Sequence, residues 1–239
     1  MPTVSNSLAR QQKHNSQEMV YMAGDQQVAL TPQIVRDYFV SGNKENVSLQ
    51  EVVTFMNLCK YSGLNPWEKE AYCIKYGSEP ATLVAGKAAF LKRAESNPAF
   101  DGMSCGIITL DPETGMTEER HGAFYLPGET IVGGWAEVYR KDRAHPTRVE
   151  VSFDEYAGRK RDGSMNGQWK TKPATMIRKV AQVQALREAF PTTFGAMYAA
   201  EEMGVEEPVE TPIPQPAEQQ PATVEIADNP AADALFEED

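Results

Sequence analysis

The stretch Gly134-Trp135-Ala136-Glu137-Val138-Tyr139-Arg140-Lys141-Asp142-Arg143 decides how this chain is read. Side chains alternate across a strand, so Trp135, Glu137 and Tyr139 fall on one face and Ala136, Val138 and Arg140 on the other. Aromatic and β-branched residues favour half-buried strands, so the run predicts a strand over 131–140 that ends in a cationic turn. On either side, Met103–Leu110, Gly122–Leu126 and Arg148–Phe153 read as further strands, with turns at Asp111-Pro112, Pro127-Gly128 and His145-Pro146. The middle of the chain is therefore expected to be mostly sheet.

C-terminal to the sheet, Arg159, Lys160, Arg161, Asp162, Gly163, Ser164, Asn166 and Gly167 have little to bury and predict an exposed loop. Pro173 then opens a helix in which Met176, Val180, Val183, Leu186 and Phe190 recur at helical spacing. Arg178, Lys179 and Gln182 fall on its other faces, so one side is expected to pack and another to meet an anion. N-terminal to the sheet, Thr31 and Pro32 start a helix carrying Ile34, Val35, Tyr38 and Phe39, and Gly42 closes it. Ser48 and Glu51 form a capping box for a second helix, which runs through Val52, Phe55, Met56 and Cys59 to a stop at Gly63. Glu70–Tyr76 and Ala81–Val84 read as short strands, and Gly86–Ser96 as a helix ended by Asn97 and Pro98. Residues 1–30 show no sustained period and read as a mobile arm, 31–203 as the core, and 204–239 as a disordered, acidic, Pro-rich tail. In that tail Leu235 and Phe236 stand among acids, in the manner of a short docking peptide.

The formal net charge of −11 hides its distribution. Twelve acids and no Lys or Arg lie between Glu201 and Asp239, which leaves residues 1–200 with 23 basic and 22 acidic groups. Within that near-neutral body, Arg140–Lys179 carries eleven Lys or Arg against five Asp or Glu, the footprint of a phosphate-binding surface. Trp135, Tyr139 and Trp169 interleave with these cations, as suits single-strand binding, where bases stack while Lys and Arg hold phosphates. Trp135 and Tyr139 serve equally well as sheet core, and the cations as a solvated face.

Several chemistries lack their residues. The chain's Gly-Lys pair, Gly86-Lys87, does not make a nucleotide phosphate loop: Ala81 stands where the first Gly belongs and Ala88 where a magnesium-holding hydroxyl belongs. Asp101, Asp111, Glu137 and Asp142 show no spacing typical of a metal-dependent nuclease. His14, His121 and His145 are isolated, and Cys59, Cys73 and Cys105 are widely spaced, so neither a zinc site nor a disulfide framework is expected. The sequence predicts no catalytic residue, metal or cofactor. No apolar run is long enough for a membrane span, and the polar start lacks a secretory leader, so a cytoplasmic location is expected.

Three blocks carry a resemblance. Tyr61-Ser62-Gly63-Leu64-Asn65-Pro66-Trp67-Glu68-Lys69-Glu70 resembles the GLNPW segment of phage Bet proteins, and Tyr139–Pro146 resembles their YRKDRxHP block. Trp169, Pro173, Met176, Arg178, Gln184, Arg187 and Phe190, followed by Phe194, Gly195 and Tyr198, look like the same family's helix and aromatic exit. Asn97–Gly102 is a weaker, shared turn. The blocks occur in order over residues 31–203, and the family they point to is the Bet/RecT type of single-strand annealing protein.

The resemblance implies an α+β fold, a curved antiparallel sheet flanked by helices and similar to the eukaryotic annealing recombinases. It implies binding of single-stranded DNA and annealed duplex by a homo-oligomeric ring or helical filament, without ATP. It implies phosphate contacts at Lys69, Lys141, Arg178 and Arg187, converging on one channel; Arg140, Arg143, Trp169, Lys172 and Lys179 join them by proximity and charge or aromatic character. A phage exonuclease and a host single-strand-binding protein are the candidate protein partners. The best-known Bet proteins recruit these through a folded C-terminal module, and here an acidic tail takes its place. A non-annealing single-strand-binding scaffold and a metal-dependent nuclease are the alternatives.

Overall fold

Residues 18–160, 162–195 and 197–203 are described in a computed structural model of the chain. The first described elements correct the expected arm: β1 (Met19–Ala23) and β2 (Gln26–Leu30) form an antiparallel hairpin. Tyr21, Ala23, Val28 and Leu30 are buried in the core while Val20 and Met22 face outward. The Tyr21 hydroxyl donates to the Leu64 carbonyl at 2.6 Å and ties the hairpin to the GLNPW turn. The alternation is short and interrupted by Gly24 at the turn, which conceals its period. The rest of the expected arm and all of the expected tail lie outside the described residues.

Thr31 caps α1 (Pro32–Ile34) as predicted, but the backbone then widens into a π-type turn over Val35–Phe39 and enters strand β3 (Val40–Gly42). Helix α2 (Leu49–Ser62) has the expected capping box between Ser48 and Glu51 and the expected left-handed stop at Gly63 (φ 56°). β4 (Ala71–Lys75) pairs in parallel with β3 and antiparallel with β5 (Thr82–Ala85). Gly42 is required at this edge, since a Cβ there would stand 2.1 Å from the Lys75 carbonyl oxygen. Helix α3 (Lys87–Ser96) follows, with Ala89, Phe90 and Ala94 buried.

β6 (Phe100–Leu110), β7 (Thr117–His121), β8 (Thr130–Arg140) and β9 (Thr147–Ser152) make a four-stranded antiparallel sheet in the order β7-β6-β8-β9. Register shifts between Phe100 and Met103 and between Ile108 and Thr109 mark irregularities in the β6–β8 pairing, where such sheets bend. The strand expected at Gly122–Leu126 is instead a loop, and the polar run Thr117–His121 is the strand. As an edge strand facing solvent, β7 does not need the apolar alternation that betrays an interior one.

Short helices α4 (Phe153–Tyr156) and α5 (Gly167–Thr171) lead to α6 (Pro173–Ala189) and α7 (Pro191–Phe194). Helix α6 lies on the sheet face made by Ala136, Val138, Val149 and Val151. Gly134 permits this approach, because a Cβ there would meet the Ile177 carbonyl oxygen at 2.8 Å. The expectation that one side of α6 packs while another stands free to meet an anion is met only for the packing. Ala174, Met176, Ile177, Val180, Ala181, Gln182, Val183, Ala185, Leu186 and Ala189 are all buried, and they surround the helix axis. The apolar positions chosen from the sequence are correct, but the alanines between them are core as well, so α6 is a central helix. No helix among the described residues is long and apolar enough to cross a membrane.

Candidate nucleic-acid interface

The cations of the sheet and of α6 divide into two populations. Lys141 and Arg143 stand exposed in the turn that leaves β8, with the Lys141 amide bonded to the Ala99 carbonyl at 2.9 Å. Lys160, Lys170 and Lys172 are exposed too. Among the described residues these five side chains form no ion pair with a carboxylate. Arg140, by contrast, is turned inward: it bonds Asp142 at 2.8 and 2.6 Å, donates to the Ala189 carbonyl and lies 4.5 Å over the Phe190 ring. It caps the C-terminal end of α6, where backbone carbonyls lack partners.

On α6 itself the cations are half-buried. Lys179 bonds Glu201 at 2.7 Å. Arg187 pairs with Glu202, donates to the Met197 carbonyl at 3.2 Å and lies 4.8 Å over the Tyr198 ring. That ion pair raises the Arg187 pKa above its ordinary value, against the opposing effect of burial. Residues 197–203 thus form a strap that supplies carboxylates to two expected DNA contacts. The Ala85 amide holds it by donating to the Tyr198 carbonyl at 2.8 Å. The Arg178 Nε is buried with no hydrogen-bond partner among the described residues, and its Nη1 lies 3.9 Å from the position a Cβ on Gly122 would take.

The expected convergence of Lys69, Lys141, Arg178 and Arg187 on one channel is corrected by this geometry. Arg178 and Arg187 are nine positions apart. At ~3.6 residues and ~5.4 Å per turn they leave nearly opposite sides of the helix, ~13.5 Å apart along its axis. Lys69 terminates the Pro66–Glu68 turn with a left-handed backbone (φ 61°), and a Cβ on Gly86 would stand 2.4 Å from its carbonyl oxygen. Lys69 therefore belongs with the start of α3, whereas Lys141 belongs with the C-terminal end of α6. The cations are distributed along the molecule rather than gathered at a point.

Trp169 is also corrected. It is fully buried, 5.6 Å edge-on to Phe153, and no base can reach it without unfolding α5. The open question over Trp135 and Tyr139 resolves differently for each. Trp135 is 3% exposed, lying under Arg148 at 5.2 Å and edge-on to His121 at 5.0 Å. Tyr139 is partly exposed, and its hydroxyl donates to Glu137 at 2.7 Å. On that face Arg148 is bonded to Glu119, Glu137 and Glu150 at 2.5, 2.8 and 2.9 Å. The face opposite α6 is consequently acidic in balance and holds its cation internally. Bonds from Tyr139 and then Arg148 keep the Glu137 carboxyl below the usual carboxylate range.

Sequence reasoning missed two participants: Arg148 over Trp135, and the 197–203 strap. The first had a signal in its position, since Arg148 stands opposite Glu137 in the β8–β9 register. The second depends on contacts between distant segments.

Comparison with known proteins bears on the chemistry of this surface. The RecT family model matches residues 27–214. The "Recombination protein bet" of Escherichia phage lambda is 28% identical over 163 residues, 66% of this chain and 53% of that protein. The chain spans about half the length of the curated relative it matches.

Proposed function

The chain belongs to the RecT family, and on that footing we propose that it anneals complementary single strands of DNA in phage recombination, without ATP and as a ring or filament of identical subunits. The observation that carries this reading is the family match joined to the exposed cations Lys141, Arg143, Lys160, Lys170 and Lys172, which form no ion pair among the described residues. Helix α6 has 17 residues, so Lys172 before it and the Arg140–Arg143 turn at its far end are separated by about 25 Å along its axis at ~1.5 Å per residue. A spread of that length suits a linear polyanion, whose charges recur along a strand, better than a point ligand. The annealing core is taken to run from the β1–β2 hairpin to Met203, somewhat longer than 31–203. The single strand and the annealed duplex are the ligands; a phage exonuclease and a host single-strand-binding protein are the further partners.

The mechanism follows from charge. Two backbones repel one another, and cations that hold both lower that repulsion and keep base edges free. Pairing and stacking then supply the driving force, with the protein contributing position rather than chemistry. The test is annealing of complementary labelled oligonucleotides in EDTA without nucleotide. Duplex should form readily at low salt and be strongly suppressed as salt rises; binding without annealing would favour a scaffold, and a requirement for ATP would overturn the reading. Degradation of the oligonucleotides with magnesium or manganese would favour the nuclease alternative.

A further inference from the structure

The acidic run that sets the net charge of the chain starts within the described fold. Its first two members, Glu201 and Glu202, are seated on helix α6: Glu201 accepts from Lys179 Nζ at 2.7 Å, and Glu202 accepts from Arg187 Nη1 at 2.9 Å. Both carboxylates are buried, and the strap that carries them is fixed by the Ala85 amide on the Tyr198 carbonyl at 2.8 Å. The described chain therefore ends at Met203 just after placing two acids on two cations of the basic helix.

Beyond Met203 the sequence holds ten more acids and no Lys or Arg, with Glu206, Glu207 and Glu210 the first of them. A chain covers at most ~3.6 Å per residue, so the seven residues from 204 to 210 reach up to ~25 Å, about the length of α6. That brings both ends of the helix within range: the turn with Lys141 and Arg143 beside its C-terminal end, and Lys170 and Lys172 before its start. These four cations are exposed and form no ion pair among the described residues, and a segment with acids and no base is their electrostatic complement. A free acidic peptide would hold such a surface weakly, because exposed ion pairs are weak. Attachment at Met203 changes the balance, since a tethered partner is presented at about millimolar effective concentration.

We propose that Lys141, Arg143, Lys170 and Lys172 form, in the subunit without DNA, the docking surface for the chain's own acidic segment 204–239, which a single strand displaces. The contact continues the one that Glu201 and Glu202 make with α6, and it covers the cations until a polyanion of higher charge density arrives. The displacement rests on the annealing reading; the docking does not.

The test uses the full chain and a variant in which the ten acids beyond Met203 are changed to their amides. Carbodiimide, which joins a carboxylate directly to an amine, is applied without DNA at about 0.05 M salt, where screening is weak. Linked peptides are then identified by mass spectrometry, with the exposed Lys44 and Lys60 as controls. Links from segment 204–239 to Lys141, Lys170 and Lys172 within one subunit are expected, and they should fade as salt rises or as a single-stranded oligonucleotide is added. Links spread evenly over these lysines and the controls, or no links, would overturn the proposal. So would links found solely between subunits, told apart by mixing isotopically light and heavy protein. Links that persist under saturating oligonucleotide would overturn the displacement.

In binding, the amide variant should hold the oligonucleotide about tenfold tighter at low salt, as expected on removing a competitor of ~0.1 mM affinity presented at ~1 mM. That gain should shrink when Lys141→Gln and Lys172→Gln are present in both proteins; a gain of equal size there would mark a general effect of net charge and overturn the docking. Should the unaltered chain hold no single strand at any salt while the links form, the annealing reading fails and the docking stands, so the two failures are distinguishable.

Discussion

The Arg140 guanidinium donates to the Ala189 carbonyl and lies 4.5 Å over the Phe190 ring, so a cation at the end of β8 closes the C-terminal end of α6. The next residue, Lys141, is exposed and forms no ion pair among the described residues. Adjacent cations in one motif therefore have separable duties. Arg140→Ala should lower the melting temperature clearly, through loss of a helix-end cap and an aromatic contact. Lys141→Ala should leave melting unchanged while weakening single-strand binding about fivefold at 0.1 M salt, as one lost phosphate contact implies. Parallel melting and binding curves check this; equal effects on both from either variant would contradict the division.

Trp169 offers a sharper contrast between a stacking and a packing aromatic. It is fully buried against Phe153. Trp169→Ala should destabilise the fold by about 3–5 kcal/mol, the usual result of emptying a large aromatic site. Trp169→Phe should fold and bind single strands with affinity close to that of the unaltered chain. A large loss of affinity in a well-folded Trp169→Phe protein would restore Trp169 to the interface.

These two positions show what the sequence made legible. Alternation in 134–140 placed Ala136 and Val138 on the packed face and Trp135 on the other, and the capping box at Ser48 and Glu51 fixed the start of α2, because both signals are local. Burial of a polar-rich helix is not local. Arg178, Lys179 and Gln182 read as a side open to an anion, yet α6 is enclosed by the sheet, by α3 and by the 197–203 strap, which only the tertiary fold brings together. The edge strand Thr117–His121 escaped notice for the opposite reason, since a solvent-facing strand can be wholly polar.

The strap makes its own prediction. Arg187 pairs with Glu202, whose side chain is 5% exposed, so removing one partner leaves the other partly desolvated and unpaired. In a double-mutant cycle, Arg187→Met and Glu202→Met should each destabilise the fold, and the pair together should cost less than the sum. The coupling should be about 1–2 kcal/mol, toward the lower range for buried pairs because solvent still reaches Arg187. Additive losses would show that the strap is held by Met197, Tyr198 and Ala199 rather than by its acids.

Glu51 gives the pH dependence its sign. Its carboxylate accepts from Lys75 Nζ at 2.7 Å, from the Ser48 amide at 2.8 Å and from the Ala81 amide at 2.7 Å, joining the start of α2 to the β4–β5 pair. Those bonds, Lys75 first, hold its pKa at about 2 against an ordinary 4.5. A depressed carboxyl pKa stabilises the fold wherever the unfolded chain would already be ionised. The contribution is therefore complete above about pH 4.5 and is lost as pH falls from there through about 2. Glu51→Gln should lower the melting temperature near neutrality, and its difference from the unaltered chain should shrink steadily below pH 4.5. Ser48→Ala, which removes only the hydroxyl half of the cap, should cost about 1 kcal/mol. Melting curves of all three proteins across that range decide the matter: a Glu51→Gln deficit that stays constant down to the acid limit would mean that shape, not charge, is what Glu51 contributes.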